Sequence, residues 1–534
     1  MSDANLEAQV GKRRTFAIIS HPDAGKTTLT EKLLLYGGAI HVAGQVSARK
    51  RQRAVTSDWM ALERERGISI TSTVLQFDYG GHTLNLLDTP GHQDFGEDTY
   101  RTLLAADSAV MLIDAAKGVE PQTKKLFAIC AERGIPLFTF MNKLDRPSRD
   151  PLELLDELER ILGIGVFPVN WPLGSGDNFR GVYDRRTKAV HLFERAAHGA
   201  TRAAVQVTDA RDPQLRQLVD DDTYARFCDA IDLLDGAGES FDADAVARGK
   251  VTPVFFGSAV TNFGVQLFLD DFIGMAPPPA PRGDIDPKDP RFTGFVFKIQ
   301  ANMDPRHRDR VAFVRVCSGE FARDMTVRNS RTNSTVRLSR AMRLFASDRE
   351  SLDAAYAGDV VGFINPGAFA IGDTLFEGQP VTFPPIPSFA PEHFVSLRSM
   401  DSSGYKSFGK GISQLREEGA VQVFYPWGSP HIEPILGAVG ELQVQVATYR
   451  LETEYNAKTI ATSMPYTLAL HVEGEPDALK NAKLPSNAKL VEDYTGRPVA
   501  LFESEWSVRL AREWNPNLRF EPFGMRHDTE ALAS

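Results

Sequence analysis

The feature that most constrains the fold is a short apolar strand followed by a glycine-lysine-threonine loop and then by a helix. The apolar run Phe16–Ile19 predicts the strand, the loop SHPDAGKT occupies residues 20–27, and residues 28–34 have a helical pattern. A phosphate-binding loop requires this order, because the loop N–H groups and the helix N-terminus then face the same anion. Ser20 stands where the usual motif has its first glycine. The sequence therefore predicts an α/β sheet with a nucleotide-phosphate site at the end of its first strand.

The residues of this loop have distinct expected roles. Lys26 can reach the β- and γ-phosphates of a nucleotide, and the hydroxyl group of Thr27 can ligate Mg²⁺. The residues expected to bind the nucleotide here are Ser20, His21, Pro22, Asp23, Ala24, Gly25, Lys26, Thr27 and Thr28.

A second predicted strand, Leu84–Leu87, ends in the segment DTPGH. A carboxylate at Asp88 can hold Mg²⁺ through water, and the Gly91 N–H group can approach the γ-phosphate closely. His92 follows at a position where its side chain can orient the attacking water, so it is the expected catalytic residue. The residues expected to bind the nucleotide in this segment are Asp88, Thr89, Pro90 and Gly91.

The segment ERGISIT, residues 65–71, lies between these two motifs. A hydroxyl group in a mobile loop can complete the Mg²⁺ shell while a nucleoside triphosphate is bound, and release it afterwards. Ser69 and Thr71 both offer such a hydroxyl group, and spacing alone leaves both open.

A third motif, NKLD, follows the predicted strand Leu137–Met141. The carboxylate of Asp145 can accept hydrogen bonds from guanine N1–H and from its exocyclic amine, whereas adenine would leave this carboxylate unpaired. Asn142 can brace the phosphate loop, and the stem of Lys143 can pack over the base. The strand Val254–Phe256 leads into a further loop, whose backbone N–H groups are expected to bind guanine O6. The residues of that loop expected to bind the nucleotide are Ser258 and Ala259.

Together these motifs predict a GTP-hydrolysing enzyme. A metabolic P-loop kinase or ATPase is one alternative, and the NKLD motif argues against it because it selects guanine. A guanine-nucleotide scaffold that does not hydrolyse GTP is another, and a test of His92 separates it from an enzyme.

Proline-rich stretches divide the chain into three parts. Residues 11–276 alternate apolar runs with helical stretches, which predicts a GTP-binding domain with a parallel sheet and an insertion at about residues 165–250. Residues 277–290 form a stiff linker, and residues 291–380 contain short strands separated by turns, which predicts a β-barrel. Residues 391–530 alternate strands with amphipathic helices, which predicts an α/β C-terminal domain. The expected fold is therefore multidomain.

Charge and composition limit the partners of such a chain. The net charge of −10 disfavours non-specific binding to nucleic acid, and no DNA partner is expected. The three cysteines are far apart in sequence, which is typical of a reducing compartment. The start of the chain has no apolar core typical of a signal peptide, and no apolar run is long enough to span a bilayer. We expect a cytoplasmic protein with no membrane partner.

The motifs resemble those of the translational GTPases that act on the ribosome. By that resemblance Ser69 takes the Mg²⁺-binding switch position, where most of the family has threonine, and Ile68 and His92 are the gate and the catalytic histidine. The long segment between Asp145 and Ser258 resembles the insertion of elongation factor G and its close relatives. The barrel segment from Phe297 to Gly319 also resembles their second domain.

The segment SHPD at residues 20–23, the segment RGISI at residues 66–70 and the short C-terminal part most resemble the bacterial peptide chain release factor 3 family. The resemblance covers about Thr15 to Phe523 and implies a role in translation termination. It implies that the GTP-bound protein, with Mg²⁺ as cofactor, promotes dissociation of class-one release factors after peptide release. The implied partners are the ribosome, through its RNA and protein, and class-one release factors. We expect the protein itself to be a monomer. The alternative is another ribosome-associated translational GTPase, of the elongation or rescue type.

Overall fold

The computed structural model describes residues 3–39, 63, 69–194, 205–236, 241–301, 310–345, 348–365, 367–401, 404–428 and 433–524. Ile68, the expected gate, lies outside the described residues. Among the residues described, no helix combines the length and the apolar character that crossing a bilayer demands.

The N-terminal domain contains a central sheet and an inserted sheet. Its strands are β1 Arg13–Ser20, β2 Thr73–Tyr79, β3 His82–Asp88, β4 Ser108–Asp114, β5 Leu137–Asn142, β6 Gly165–Pro168, β7 Asn170–Leu173, β8 Gly181–Asp184, β9 Ala189–Phe193, β10 Val205–Asp209 and β11 Val251–Phe256. Its helices are α1 Asp3–Gly11, α2 Lys26–Tyr36, α3 Gly96–Leu103, α4 Pro121–Glu132, α5 Pro151–Leu162, α6 Leu215–Leu218, α7 Asp221–Gly236, α8 Ala243–Ala247 and α9 Val265–Met275.

The central sheet has the strand order β2-β3-β1-β4-β5-β11-β6. All neighbouring strands from β3 to β6 are parallel, as the alternation of apolar runs and helices predicts. Strand β2 differs, since it pairs antiparallel with β3. The two-residue turn Gly80-Gly81 joins them as a hairpin, and both glycines have positive φ (55° and 79°), which glycine adopts without steric cost.

Helices cover both faces of this sheet, and strands β1, β4 and β5 are buried along their whole length. On one face Phe16 and Phe138 pack against Phe272 of α9, with ring centroids 4.7 and 4.9 Å apart. These contacts hold α9 against β1 and β5, and the loops at the carboxyl ends of the strands form the candidate site.

The insertion between β6 and β11 contains a four-stranded antiparallel sheet, in the order β10-β9-β8-β7, and helices α6 to α8. Asn170 ties it to the central sheet: its amide nitrogen donates to the Phe256 carbonyl (3.2 Å) and its amide oxygen accepts from the Phe256 N–H (2.6 Å). Trp171 packs edge-on against the ring of Phe256 (5.4 Å). The insertion is therefore held against the strand that leads into the Ser258 loop.

The second domain is a curled antiparallel sheet that forms the barrel. Its strands are β12 Thr293–Ala301, β13 Arg310–Ser318, β14 Glu320–Ala322, β15 Thr326–Asn329, β16 Thr335–Arg337, β17 Ala341–Phe345, β18 Asp348–Ser351, β19 Ala354–Tyr356, β20 Val360–Ile364 and β21 Thr374–Phe376. Strand β17 pairs with β2, so the barrel continues the central sheet of the N-terminal domain. A buried ion pair between Arg315 and Asp107 (2.5 Å) also joins the two domains.

The C-terminal domain consists of two successive β-α-β-β-α-β units that share one eight-stranded antiparallel sheet. Its strands are β22 His393–Ser399, β23 Gln422–Pro426, β24 Ile435–Ala438, β25 Thr459–Met464, β26 Leu468–Glu473, β27 Ala488–Asp493, β28 Pro498–Phe502 and β29 Arg519–Pro522. Its helices are α10 Tyr405–Glu417, α11 Glu441–Tyr455, α12 Pro476–Lys480 and α13 Glu505–Trp514. The first unit carries α11, whose N-terminus reaches the N-terminal domain.

Candidate nucleotide site

Four loops meet at the carboxyl ends of β1, β3, β5 and β11. The parallel register sets Ile18 of β1 beside Asp88 of β3, and Asp114 of β4 beside Asn142 of β5. In open parallel sheets the carboxyl ends of strands form the usual ligand site. The loops after these strands contain the residues that the sequence predicts to bind GTP.

The loop after β1 has the backbone shape that a phosphate-binding loop needs. Asp23 and Gly25 adopt positive φ (67° and 100°), and α2 begins directly afterwards at Lys26. A Cβ atom on Gly25 would lie only 2.5 Å from the Asn142 amide nitrogen, so backbone geometry and space both require glycine here.

A cavity of about 250 Å³ lies over this loop. It brings together the phosphate loop, one residue of the segment before β2 and two residues of the segment after β3. The residues that line it are Ser20, His21, Pro22, Asp23, Gly25, Lys26, Thr27, Thr28, Ser69, Gly91 and His92.

Lys26 connects the predicted phosphate and metal residues. Its buried Nζ donates to Asp88 Oδ1 at 2.6 Å and lies 3.4 Å from the Ser69 hydroxyl oxygen. Thr27 lines the same cavity. The hydroxyl groups of Thr27 and Ser69 and the carboxylate of Asp88 are hard oxygen donors of the kind that Mg²⁺ prefers, so the residues fit this ion.

The structure distinguishes Ser69 from Thr71, the two hydroxyl residues between which the sequence spacing does not choose. Ser69 lines the cavity, whereas the N–H and hydroxyl groups of Thr71 lie 3.1 and 3.4 Å from Glu63 Oε1. Ile70 N–H donates to the same oxygen at 2.9 Å. Glu63 therefore fixes this backbone segment, a role that the sequence pattern does not reveal.

The loop after β3 is anchored at several points. The Thr89 hydroxyl donates to the Ile18 carbonyl (2.7 Å), and the Pro90 carbonyl accepts from the Thr99 hydroxyl (3.2 Å). These bonds hold the backbone on either side of Gly91 and place His92 at the rim of the cavity.

The His92 side chain is about one-third exposed, and its Nδ1 lies 3.2 Å from Asp94 Oδ1. The Asp94 N–H also donates to this Nδ1 at 3.2 Å. Burial raises the pKa of the Asp94 carboxyl group, but hydrogen bonds from His92 and Leu442 outweigh it and hold that pKa below its ordinary value. Asp94 is absent from the residues that the sequence predicts, although its position two residues after the expected catalytic histidine is a usable signal.

The NKLD segment braces two other loops. Asn142 Nδ2 donates to the Ala24 carbonyl in the phosphate loop (2.8 Å), and Asn142 Oδ1 accepts from the Ala259 N–H (2.9 Å). One buried side chain therefore connects the loops after β1, β5 and β11.

Lys143 has positive φ (71°), and its Nζ donates to the Asp23 carbonyl (2.5 Å) and to Asp114 Oδ2 (2.8 Å). Burial raises the pKa of Asp114, but bonds from Lys143 and from the Ala116 N–H outweigh it and lower that pKa. The stem of Lys143 is thus stretched between the phosphate loop and the end of β4.

Asp145 Oδ1 accepts a hydrogen bond from the Ser258 hydroxyl group (2.6 Å). The N–H groups of Gly257, Ser258 and Ala259 donate to Met141, Phe263 and Asn142 respectively. These backbone donors are therefore engaged inside the protein, and the expectation that they contact guanine O6 stays a prediction.

A lysine of the barrel domain contacts a segment beside the cavity. Lys298 of β12 donates from Nζ to the Ser72 carbonyl (2.5 Å) and hydroxyl group (2.7 Å), and lies 3.5 Å from Asp98 Oδ2. Burial lowers the pKa of Lys298, while Asp98 acts in the opposite direction. A lysine inside the apolar strand Thr293–Ala301 is the sequence signal that could have identified this contact.

The fold and the site define a P-loop GTPase of the elongation factor class. The family model described as "Elongation factor Tu GTP binding domain" matches residues 11–278, and that described as "Elongation factor G domain 2" matches residues 291–378. The model described as "Class II release factor RF3, C-terminal domain" matches residues 383–512.

Curated relatives identify the family. Peptide chain release factor 3 of Gloeobacter violaceus is 59% identical over 525 residues, which cover 97% of this chain and 99% of that protein. The protein of that name from a Cyanothece species is 58% identical over 521 residues (97% and 96%). The one from Synechococcus elongatus is 57% identical over 518 residues (96% and 93%). The chain belongs to the peptide chain release factor 3 family.

A crystal structure from Thermus thermophilus has the same fold, with a TM-score of 0.69 and 22% identity over 90% of this chain and 72% of that one. The predicted multidomain fold and the predicted family are thus confirmed. The chain is a GTPase of translation termination, and its family and fold imply interaction with the ribosome.

Proposed function

We propose that the protein binds GTP with Mg²⁺ in the cavity over the phosphate loop and hydrolyses it on the ribosome. In this proposal the GTP-bound form promotes dissociation of a class-one release factor after peptide release, and hydrolysis lets the protein leave. The protein acts as a monomer in the cytoplasm and contacts ribosomal RNA and protein. The observation that supports this most is the shared cavity of the phosphate loop, Ser69, Gly91 and His92.

Each loop has one task in the proposed reaction. The phosphate loop and Lys26 neutralise the phosphate charge, and Thr27, Ser69 and Asp88, the last through water, hold the metal. When bound, Mg²⁺ would neutralise charge that develops on the β- and γ-phosphate oxygens. His92 orients the attacking water, because positioning supplies most of the catalysis in such hydrolysis.

Guanine is selected by Asp145, whose carboxylate accepts from the base N1–H and amine groups. Asn142 and Lys143 hold the phosphate loop and the base loop at a fixed separation through the contacts to Ala24 and Asp23. A match of the C-terminal residues 383–512 to a release factor domain favours termination over an elongation or rescue role.

The test compares GTP turnover with and without ribosomes that carry a stalled termination complex, while a labelled class-one release factor reports its own dissociation. We expect GTP turnover to require the protein, and departure of the release factor to require both the protein and GTP. An equal rate of departure without the protein would refute the release step.

Replacing His92 by Ala tests the catalytic assignment. We expect ribosome-stimulated turnover to fall by about 100-fold or more, with GTP affinity unchanged, because a positioned side chain contributes that much to such a step. His82→Ala is the matched control, since His82 lies at the start of β3, far from the segment that follows this strand and contains His92, and contacts the Gly80 carbonyl. Equal turnover by His92→Ala and wild type would remove His92 from the mechanism.

A further inference from the structure

The Asp94 carboxylate lies between the site and the C-terminal domain. Its Oδ2 accepts the N–H of Leu442 (2.8 Å), in the first turn of the 15-residue helix α11, and its Oδ1 lies 3.2 Å from His92 Nδ1. The negative carboxylate also faces the positive end of the helix dipole. One side chain thus contacts both the expected catalytic histidine and a residue 348 positions away in sequence.

The two domains approach each other closely at this point. A Cβ atom on Gly440, directly before α11, would lie 2.0 Å from Asp94 Cγ, so only glycine fits without displacement. Beside it, Ile70 and Phe95 of the N-terminal domain pack against Val446 of α11 in a small buried cluster. This packing keeps the helix N-terminus against Asp94.

The Asp94 contact bears on which nitrogen of His92 carries the proton. Nδ1 has two partners at 3.2 Å: the Asp94 N–H, which requires an unprotonated Nδ1, and the Asp94 carboxylate, which requires a protonated one. The Leu442 N–H fixes the carboxylate through its other oxygen. A fixed, ionised carboxylate favours Nδ1–H, and Nε2 then has the lone pair needed to accept a hydrogen bond from water.

We propose that Asp94 is a positioning residue through which docking of the C-terminal domain sets the orientation and the tautomer of His92. When α11 is docked, Asp94 holds Nδ1–H and leaves Nε2 to orient the attacking water. When α11 moves away, the carboxylate loses the Leu442 N–H. The backbone N–H of Asp94, which already lies 3.2 Å from Nδ1, then becomes the favoured partner of this nitrogen. Docking of the C-terminal domain therefore controls whether His92 can orient the attacking water. This inference rests on the role proposed above for His92.

The experiment perturbs the contact from the C-terminal side, away from the nucleotide. In full-length protein, Gly440→Ala inserts a methyl group against Asp94, and Gly409→Ala is the matched control, because a Cβ there meets nothing within 4 Å. We expect Gly440→Ala to lower ribosome-stimulated GTP turnover on the order of 10-fold, the effect of losing one charge-assisted hydrogen bond, with GTP affinity unchanged. Gly409→Ala should leave both unchanged.

Nitrogen-15 NMR of the histidine ring gives a readout independent of activity. The His92 signals are assigned by their loss in His92→Ala, and we expect Nδ1–H in wild type and in Gly409→Ala. Gly440→Ala should shift the population toward Nε2–H. An unchanged His92 tautomer in folded, GTP-binding Gly440→Ala would overturn the proposal, whatever the turnover rate.

A double variant guards against a general folding defect. Asp94→Ala removes the carboxylate that the Gly440 methyl group would strike, so the turnover losses of Asp94→Ala and Gly440→Ala should not add when combined. Fully additive losses would show that Gly440 acts by another route and would refute the coupling. If His92→Ala itself leaves turnover unchanged while the tautomer shift occurs, the hydrolytic role of His92 fails but the positional coupling stands.

Discussion

Two sides of the nucleotide site are held by different parts of the molecule. The base side, residues 142–145 and 258–259, is braced within the N-terminal domain by the bonds of Asn142 to Ala24 and Ala259. The switch side, residues 69–72 and 92–98, receives Lys298 from the barrel and Leu442 from the C-terminal domain. If GTP binds as proposed, selection of the nucleotide is a local property of one domain, whereas the segments expected next to the γ-phosphate are fixed by three.

The difference follows from what each side has to do. Base recognition needs a rigid set of acceptors, and short bonds within one domain provide it. Switch segments change their contacts with nucleotide state, and contacts to other domains transmit such changes through the fold. A substitution on the base side should therefore alter which nucleotide binds, and one on the switch side should alter how the domains and hydrolysis are coupled.

The largest expected effect is on the base side. Asp145→Asn should weaken GTP binding by on the order of 10⁴-fold and favour xanthosine triphosphate, because the amide donates where guanine also donates. Competition binding with the two nucleotides measures this. Asp156→Asn, an exposed change on the nearby helix α5, is the control, and a variant that still prefers GTP would contradict the base assignment.

Lys298→Met should give the next largest effect, on the switch side. It removes the buried lysine from the partly buried Asp98 carboxylate and from the Ser72 carbonyl, which should cost about 3–5 kcal/mol of unfolding free energy. Urea unfolding of the full chain measures it. Lys288→Met removes an exposed pair with Glu7 and should leave the unfolding free energy nearly unchanged, because solvent screens such a pair. Equal losses of unfolding free energy in the two variants would mean that the Lys298 contact stabilises the fold no more than the exposed pair does.

A matched pair of valines on α11 sharpens the comparison further. Val446 packs against Ile70 and Phe95, whereas Val444 packs against Val395 and Ala438 within its own domain. Truncation of either to alanine should cost roughly 2 kcal/mol in stability, but only Val446→Ala should also reduce ribosome-stimulated turnover. Thermal unfolding and ribosome-stimulated GTP turnover, measured in parallel for both variants, test this prediction. Equal turnover by the two variants would show that docking and hydrolysis are independent.

The smallest expected effect is a pH dependence on the switch side. Burial raises the pKa of Asp98, but Lys298, Arg101 and the Ser72 N–H outweigh it and lower that pKa. Ionised Asp98 therefore stabilises the fold at neutral pH, and this contribution is lost as the pH falls below about 4. The stability difference between wild type and Asp98→Asn should be constant near neutral pH and shrink in acid. A difference that persists unchanged at about pH 3 would contradict the assignment.

The sequence predicts the central sheet well and the barrel less completely. The apolar runs from Phe16–Ile19 to Val254–Phe256 all lie in strands that extend them by a few residues at most. In the described part of the barrel, the three-residue strands Glu320–Ala322 and Ala354–Tyr356 are too short to show a period. In the C-terminal domain, helix α10 runs through Gly409, because packing of Phe408 outweighs the weak helical propensity of that glycine.

By itself, the sequence determines the four loops, since each is a strand followed at once by residues that are expected to bind a nucleotide. The sequence also determines the family, because the residues within each motif are consecutive and the motifs follow one another in a fixed order along the chain. Only the tertiary structure decides that Ser69, rather than Thr71, lines the cavity, that Lys298 contacts Ser72 across 226 positions, and that Leu442 contacts Asp94. Such contacts depend on how whole domains pack. A local sequence pattern can mark a residue as buried, but it does not show which distant residue it contacts.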